Sequence, residues 1–125
     1  MQSDRPANIL LVDDQTENLL VLEAVLTDPG YKIVRAHSGR EALKCLLEQE
    51  FAIVVLDIQM PDMNGFELAQ SMRQRESTKH TPIIFLTALY TEDADASVAY
   101  SLGAVDFITK PFVPEVLKSK VQVFV

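Results

Sequence analysis

At 125 residues the chain has the size of one ordinary domain, long enough to bury a hydrophobic core. Its 48% apolar and 23% charged content is that of a globular protein and excludes an intrinsically disordered one. No apolar run approaches the ~20 residues that span a bilayer, so no membrane partner is expected. The net charge of −7 argues against direct nucleic-acid binding, because phosphate backbones need a basic face.

The single cysteine, Cys45, has no partner for an internal disulfide, so a reducing, cytoplasmic setting is expected. Within its helical run it is expected to be a small buried or half-buried side chain. Residues 1–7 lack the basic-then-apolar layout of a signal peptide. They are predicted to be a flexible polar lead-in to a domain covering 8–125.

Asn8 to Val12 is a short apolar run closing on Asp13-Asp14, as a buried strand would. Gln15 to Asp28 carries Leu19, Leu22, Val25 and Leu26 at helical period, with Asp14 and Glu17 at capping-box spacing and Asp28-Pro29-Gly30 as the stop. Lys32 to Ala36 is a modest strand. Ser38 and Glu41 form a second capping-box pair, opening a helix with Ala42, Leu43, Leu46 and Leu47 on one side. Phe51 to Leu56 is a continuous apolar run that ends in Asp57, and Pro61, Asn64 and Gly65 then supply the turn chemistry. A helix follows from about Gly65 with Leu68, Ala69 and Met72 inward, and Arg73 to Lys79 is expected to be a charged exposed loop. Pro82 to Leu86 is again a buried strand, ending in Thr87-Ala88. Thr91 is the expected N-cap of a helix that stops at Gly103, with Glu92 and Asp93 set against its positive dipole end. Val105 to Thr109 is the fifth strand, ending in Lys110-Pro111. Pro114 opens the last helix, with Val113, Leu117, Val121 and Phe124 on one face. That helix reaches Val125 without a cap, which suggests a piece excised from a longer protein.

Strict alternation of five strands and five helices predicts an α/β fold: a doubly wound five-stranded parallel sheet, order 2-1-3-4-5, flanked by five helices, the flavodoxin-like topology. In that order strands one and three are neighbours whose helices go to opposite faces, so Asp13, Asp14 and Asp57 share a crevice. Three carboxylates in one small site repel unless a cation joins them. Hard oxygen ligands suit Mg²⁺ or Mn²⁺. Lys110 is expected to reach Asp57, and Thr87 offers a hydroxyl donor worth ~1.5–3 kcal/mol to a charged acceptor. Such a set suits phosphoryl transfer onto a carboxylate.

Five segments, in order, carry a further likeness: Val12-Asp13-Asp14, Leu56-Asp57-Ile58-Gln59-Met60-Pro61, Asn64-Gly65, Leu86-Thr87-Ala88, and Gly103 through Pro111. Together they resemble the receiver domain of bacterial two-component response regulators over roughly residues 8 to 124. The resemblance implies that Asp57 is the phosphoacceptor for a histidine kinase or a histidine phosphotransfer protein. It implies that Asp14 and Asp57 hold Mg²⁺ directly with the backbone carbonyl of Gln59, that Asp13 acts through a metal-bound water, and that Lys110 contacts the phosphoryl group. It also implies a cis Lys110-Pro111 peptide and a switch in which Thr87 and Phe107 move together. The readout surface would be the fourth helix, fifth strand and fifth helix (about 92–102, 106–108 and 114–124), controlling an output domain in the same or another chain. The same surface would serve a homodimer. A C-terminal output or kinase module would account for the uncapped last helix.

Blander roles stand beside these. Asp14 alone fits an N-cap, Thr87 a strand end, Lys110 a solvated lysine, and Phe107 plain core packing. An aspartate-nucleophile phosphatase needs a second acid two residues after the nucleophile, where this chain has Gln59. A nucleotide- or flavin-binding fold needs a phosphate-cradling loop after the first strand, where Asp13-Asp14 would repel phosphate. An unphosphorylated scaffold would not need the full acidic set. The chain is therefore expected to be a signalling phosphoacceptor and not an enzyme. Gln59 and Leu89 flank the site, and Leu89 cannot orient an attacking water, so slow self-dephosphorylation is expected.

Overall fold

Short apolar runs become strands and the amphipathic stretches between them become helices. The structure is a computed structural model that describes residues 6–87 and 93–125, with the backbone alone at 93–95. Its elements are β1 (Ala7–Val12), α1 (Thr16–Leu26), β2 (Tyr31–Ala36), α2 (Gly39–Glu48), β3 (Ile53–Leu56), α3 (Gly65–Arg73), β4 (Ile83–Thr87), α4 (Asp93–Ser101), β5 (Asp106–Thr109) and α5 (Pro114–Gln122). Every strand pair is parallel and the order is β2-β1-β3-β4-β5. The expected doubly wound α/β sheet is therefore present.

Side chains alternate across the pleat, so each strand serves two cores. Leu10, Val12, Val54, Leu56, Ile83 and Phe85 pack with Ala42, Leu68, Met72 and Ala99 on the face covered by α2, α3 and α4. Ile9, Leu11, Ile53, Val55, Ile84 and Leu86 pack with Leu19, Leu22, Leu117 and Val121 on the face covered by α1 and α5. Burial on both faces is why these strands are continuous apolar runs. β1 hands the chain to α1 on one face and β3 hands it to α3 on the other. A crevice opens where the two part.

Helix ends depart from expectation in instructive ways. The Asp14–Glu17 capping box does not form. Gln15 is the N-cap of α1 and makes no side-chain cap, and its N–H donates to Asp13 Oδ1 instead. Ser38 accepts from Glu41 N–H as expected, but Glu41 Oε1 accepts from His37 N–H, so that box is only half closed. α3 carries a complete capping box between Asn64 and Glu67. Thr91 and Glu92 lie outside the described residues, as do Ala88 and Leu89. Gly103 closes α4 with φ +79°; its N–H donates to Tyr100 O, and Ala104 N–H donates to Ala99 O. That is the left-handed terminus for which glycine is suited. On α5, Leu117 and Val121 are buried, while Val113 is exposed because it is the N-cap, outside the helical repeat.

The segment from Arg73 to Lys79 is exposed as expected at 74–77 and 79, and departs from that at two residues. Arg73 is half-buried at the end of α3 and Thr78 is buried. The Arg73 guanidinium donates through Nε to Leu102 O at 2.7 Å and through Nη1 to Thr81 O at 2.8 Å and Lys79 O at 3.1 Å. It thereby ties the α3–β4 loop to the end of α4. Among the described residues, carbonyls at a helix terminus and in two turns satisfy the cation, and no carboxylate pairs with it.

Candidate functional site

Parallel pairing brings four strand ends to one edge of the sheet. Val12 and Leu56 are register partners, so the next residues, Asp13 and Asp57, stand side by side, and Asp57 N–H donates to Val12 O at 3.0 Å. Thr87 and Thr109 are partners as well, and Lys110 N–H donates to Thr87 O at 2.8 Å. The structure thus places Asp13, Asp14, Asp57, Thr87 and Lys110 at the same end of the strands. Thr87 is fully buried.

Asp13, Asp14 and Asp57 each offer a carboxylate oxygen, and these atoms lie within 4.8 Å of one another. Asp13 is 1% exposed and Asp57 9%, while Asp14 is the most open of the three. Asp13 is firmly held. Its Oδ1 accepts from Gln15 N–H at 2.9 Å, and its Oδ2 accepts from the Asn18 side-chain amide at 3.1 Å and from Lys110 Nζ at 3.3 Å. Asp57 has less support, with its Oδ1 accepting from Gln59 N–H at 3.3 Å.

The consequence is electrostatic. Burial, and then repulsion from Asp13, push the Asp57 carboxyl up to about 6, against the pull of Lys110 and of the Gln59 and Ile58 backbone N–H groups. A nearly buried carboxylate that faces two others and holds its charge reluctantly is one that a hard cation would relieve. Three oxygen donors this close suit an ion with ligands at ~2.1 Å, and they leave room for water. The donor set fits Mg²⁺ or Mn²⁺.

Lys110 departs from expectation. Among the described residues its ion pair is with Asp13 and not with Asp57. Asp13 is the more deeply buried carboxylate and so the one with the greater need of a counter-charge. The Lys110-Pro111 peptide is cis. Phe107 lies half-buried on β5 beside its register partner Phe85 and packs on the core face shared with α3 and α4. The Gln59 side chain is exposed on the loop beside Asp57.

Sequence reasoning missed one residue at the site and misread the role of another. Asn18 carries no periodic or motif signal, because only the fold brings the first turn of α1 over Asp13. Gly65 was expected as a turn former, yet its role is close approach. A Cβ there would lie 2.8 Å from Ile58 Cα and nearer still to the Asp57 carbonyl oxygen, and Gly65 N–H donates to Ile58 O at 2.9 Å. The spacing Asp57 to Gly65 was visible; that the backbone folds back on itself was not.

Fold and site together define a doubly wound α/β protein with an acidic cluster, able to hold a cation, at its topological switch point. The family described as "Response regulator receiver domain" matches residues 9–122. The chain belongs to that family. Among curated proteins it is 36% identical to a probable cyclic di-GMP phosphodiesterase of Vibrio cholerae, over 98% of this chain and 27% of that protein. It is 35% identical to the response regulator SaeR of Staphylococcus aureus, over 92% of this chain and 49% of that protein. The chain thus spans less than half the length of these relatives. Among solved structures it resembles the chemotaxis protein CheY4 of Vibrio cholerae, with a TM-score of 0.87 and 33% identity over 96% of this chain and 99% of that one. It also resembles the receiver domain of a histidine kinase from Syntrophus aciditrophicus, with a TM-score of 0.84 and 31% identity over 94% and 89% of the two chains. Receiver domains are signalling domains.

Proposed function

We propose that this domain is the phosphoacceptor of a two-component phosphorelay and that Asp57 is the residue modified. The observation that carries the reading is the setting of Asp57. It is a nearly buried carboxylate at the end of the central strand, crowded by Asp13 and Asp14 and within the field of Lys110. One Asp57 oxygen attacks the phosphorus of a phosphohistidine on a histidine kinase or histidine phosphotransfer protein. A P–O bond forms as the P–N bond breaks, and the imidazole nitrogen leaves with the electron pair and takes a proton from solvent.

Asp14 and Asp57 would hold Mg²⁺ or Mn²⁺ together with the Gln59 backbone carbonyl, and Asp13 would act through a bound water. The ion supplies charge compensation for the transferring oxygens. Lys110 leaves Asp13 for a phosphoryl oxygen, and the Thr87 hydroxyl donates to another. With Gln59 in place of a second acid, no general acid follows the nucleophile, which favours a carrier over a phosphatase.

The readout is assigned to α4, β5 and α5, with Phe107 following Thr87. These elements and the turn before β5 carry exposed Val98, Tyr100, Val105 and Val116 and the Lys120–Asp106 ion pair, features suited to an output domain or to a second copy of the domain. The domain proposed here is the expected 8–125 extended by Ala7, which begins β1, working in the cytoplasm as part of a longer protein with an output or kinase module. Incubation with a small phosphodonor and Mg²⁺, followed by intact mass, tests the reading. One phosphoryl adduct is expected on the native chain and none on Asp57→Ala. An equal adduct on both would remove Asp57 from the mechanism.

A further inference from the structure

Asp13 is bound more completely than a carboxylate needs if it is merely to pair with Lys110. Three donors from three different elements converge on it: the Gln15 N–H from the turn after β1, the Asn18 amide from the first turn of α1, and Lys110 Nζ from the end of β5. Two of them, Asn18 at 3.1 Å and Lys110 at 3.3 Å, share the single oxygen Oδ2. A neutral amide that shares an acceptor with a cation weakens the hold on the cation. It also stays behind to satisfy the acceptor when the cation leaves.

That arrangement matters because Lys110 is on the wrong carboxylate. The group to be modified is Asp57, yet Lys110 pairs with Asp13. Moving Lys110 to a phosphoryl group on Asp57 takes from a 1%-exposed carboxylate its direct ion-pair partner, and a Mg²⁺ reached only through water offsets less of a buried charge than a direct partner does. Gln15 cannot substitute, since its N–H is committed to Oδ1.

We propose that Asn18 is a positioning residue for phosphoryl transfer: its side-chain amide holds Asp13 Oδ2 so that Lys110 can leave for the phosphoryl group. The proposal rests on the phosphoacceptor reading above. Among the described residues the Asn18 side chain is hydrogen-bonded to Asp13 and not to Asp57; it acts through Asp13 and Lys110. Binding of Mg²⁺ alone does not require Lys110 to leave, whereas binding of a phosphoryl mimic on Asp57 does. The two steps therefore separate this role from a merely structural one.

The experiment is calorimetric titration of the full chain, first with Mg²⁺ and then with beryllium fluoride in saturating Mg²⁺, for the native chain, Asn18→Leu, Asn18→Asp and Asn18→Gln. For Asn18→Leu the Mg²⁺ affinity is expected to stay within about twofold while beryllium fluoride binds about tenfold more weakly, the loss of one hydrogen bond to a charged group. Asn18→Asp, which sets a second carboxylate beside Lys110, is expected to weaken beryllium fluoride further, and Asn18→Gln, which keeps the donor, to recover most of the affinity. Should Asn18→Leu fail to fold, the ordering of Asn18→Gln over Asn18→Asp carries the same decision. Equal losses for both ligands, or no loss for either, would overturn the role of Asn18 while leaving Asp57 as phosphoacceptor. Failure of the native chain to bind beryllium fluoride would overturn the phosphoacceptor reading itself.

Discussion

At the scale of single residues, Asp57 combines burial with the repulsion of a neighbouring carboxylate. Burial and the neighbouring Asp13 push its carboxyl up to about 6, above the ordinary 3.8, because both disfavour the charged form. A raised carboxyl pKa means that the fold prefers the protonated acid. The contribution of Asp57 to stability is complete below about 3.8 and is lost as pH rises through about 6. An asparagine side chain in its place does not titrate. In chelator, the Asp57→Asn variant is therefore expected to gain on the native chain between pH 4 and 7, with a ceiling of about 3 kcal/mol, and to level off above that. Urea denaturation at several pH values checks this, and a pH-independent difference between the two would contradict it. Of the site residues, Asp13, Asp14, Asp57 and Lys110 were legible because strand-ending polar residues after apolar runs are a local pattern. The partner of Lys110 was not legible, since which of two neighbouring carboxylates lies deeper depends on packing between distant elements.

At the scale of elements, the strands and helices were legible from period and punctuation, and their ends less so. The Asp14–Glu17 spacing suggested a capping box, but Asp13 takes the Gln15 N–H and α1 starts with Gln15 as its N-cap. A capping motif shows which donors a helix could use, not which acceptors tertiary structure will supply. Arg73 makes the same point in reverse. A charged stretch looked solvated, yet its guanidinium reaches carbonyls contributed by the α3–β4 and α4–β5 loops, up to 30 residues away. Arg73→Met is expected to leave those carbonyls poorly paired and to cost about 2–4 kcal/mol, measured as a lower urea midpoint at unchanged slope. Arg73→Lys, with a compact ammonium in place of a planar fork, is expected to recover less than half of that. A loss below ~0.5 kcal/mol for Arg73→Met, the range of an ordinary surface substitution, would show that the clasp is ornamental.

At the scale of the whole molecule, two cores on the two faces of one sheet make the site edge a consequence of topology. β1 and β3 must end side by side, and their helices must part. Among the described residues no helix is long and apolar enough to cross a membrane. If the acidic edge is a cation site, Mg²⁺ stabilises the folded domain by mass action, by about 2.7 kcal/mol at a hundredfold excess over its Kd. Thermal unfolding is expected to rise with Mg²⁺ in the native chain and to rise far less in Asp14→Asn; equal rises would place the ion elsewhere. The central claim is that Asp57 itself carries the phosphoryl group. The most direct measurement is to treat the chain with a small phosphodonor and Mg²⁺, reduce the acyl phosphate with borohydride, and map the product by peptide mass spectrometry. Conversion of Asp57 to homoserine, with Asp13 and Asp14 unchanged, is the expected result. Reduction at Asp13 or Asp14, or none at Asp57 in a chain that has gained a phosphoryl mass, would contradict it.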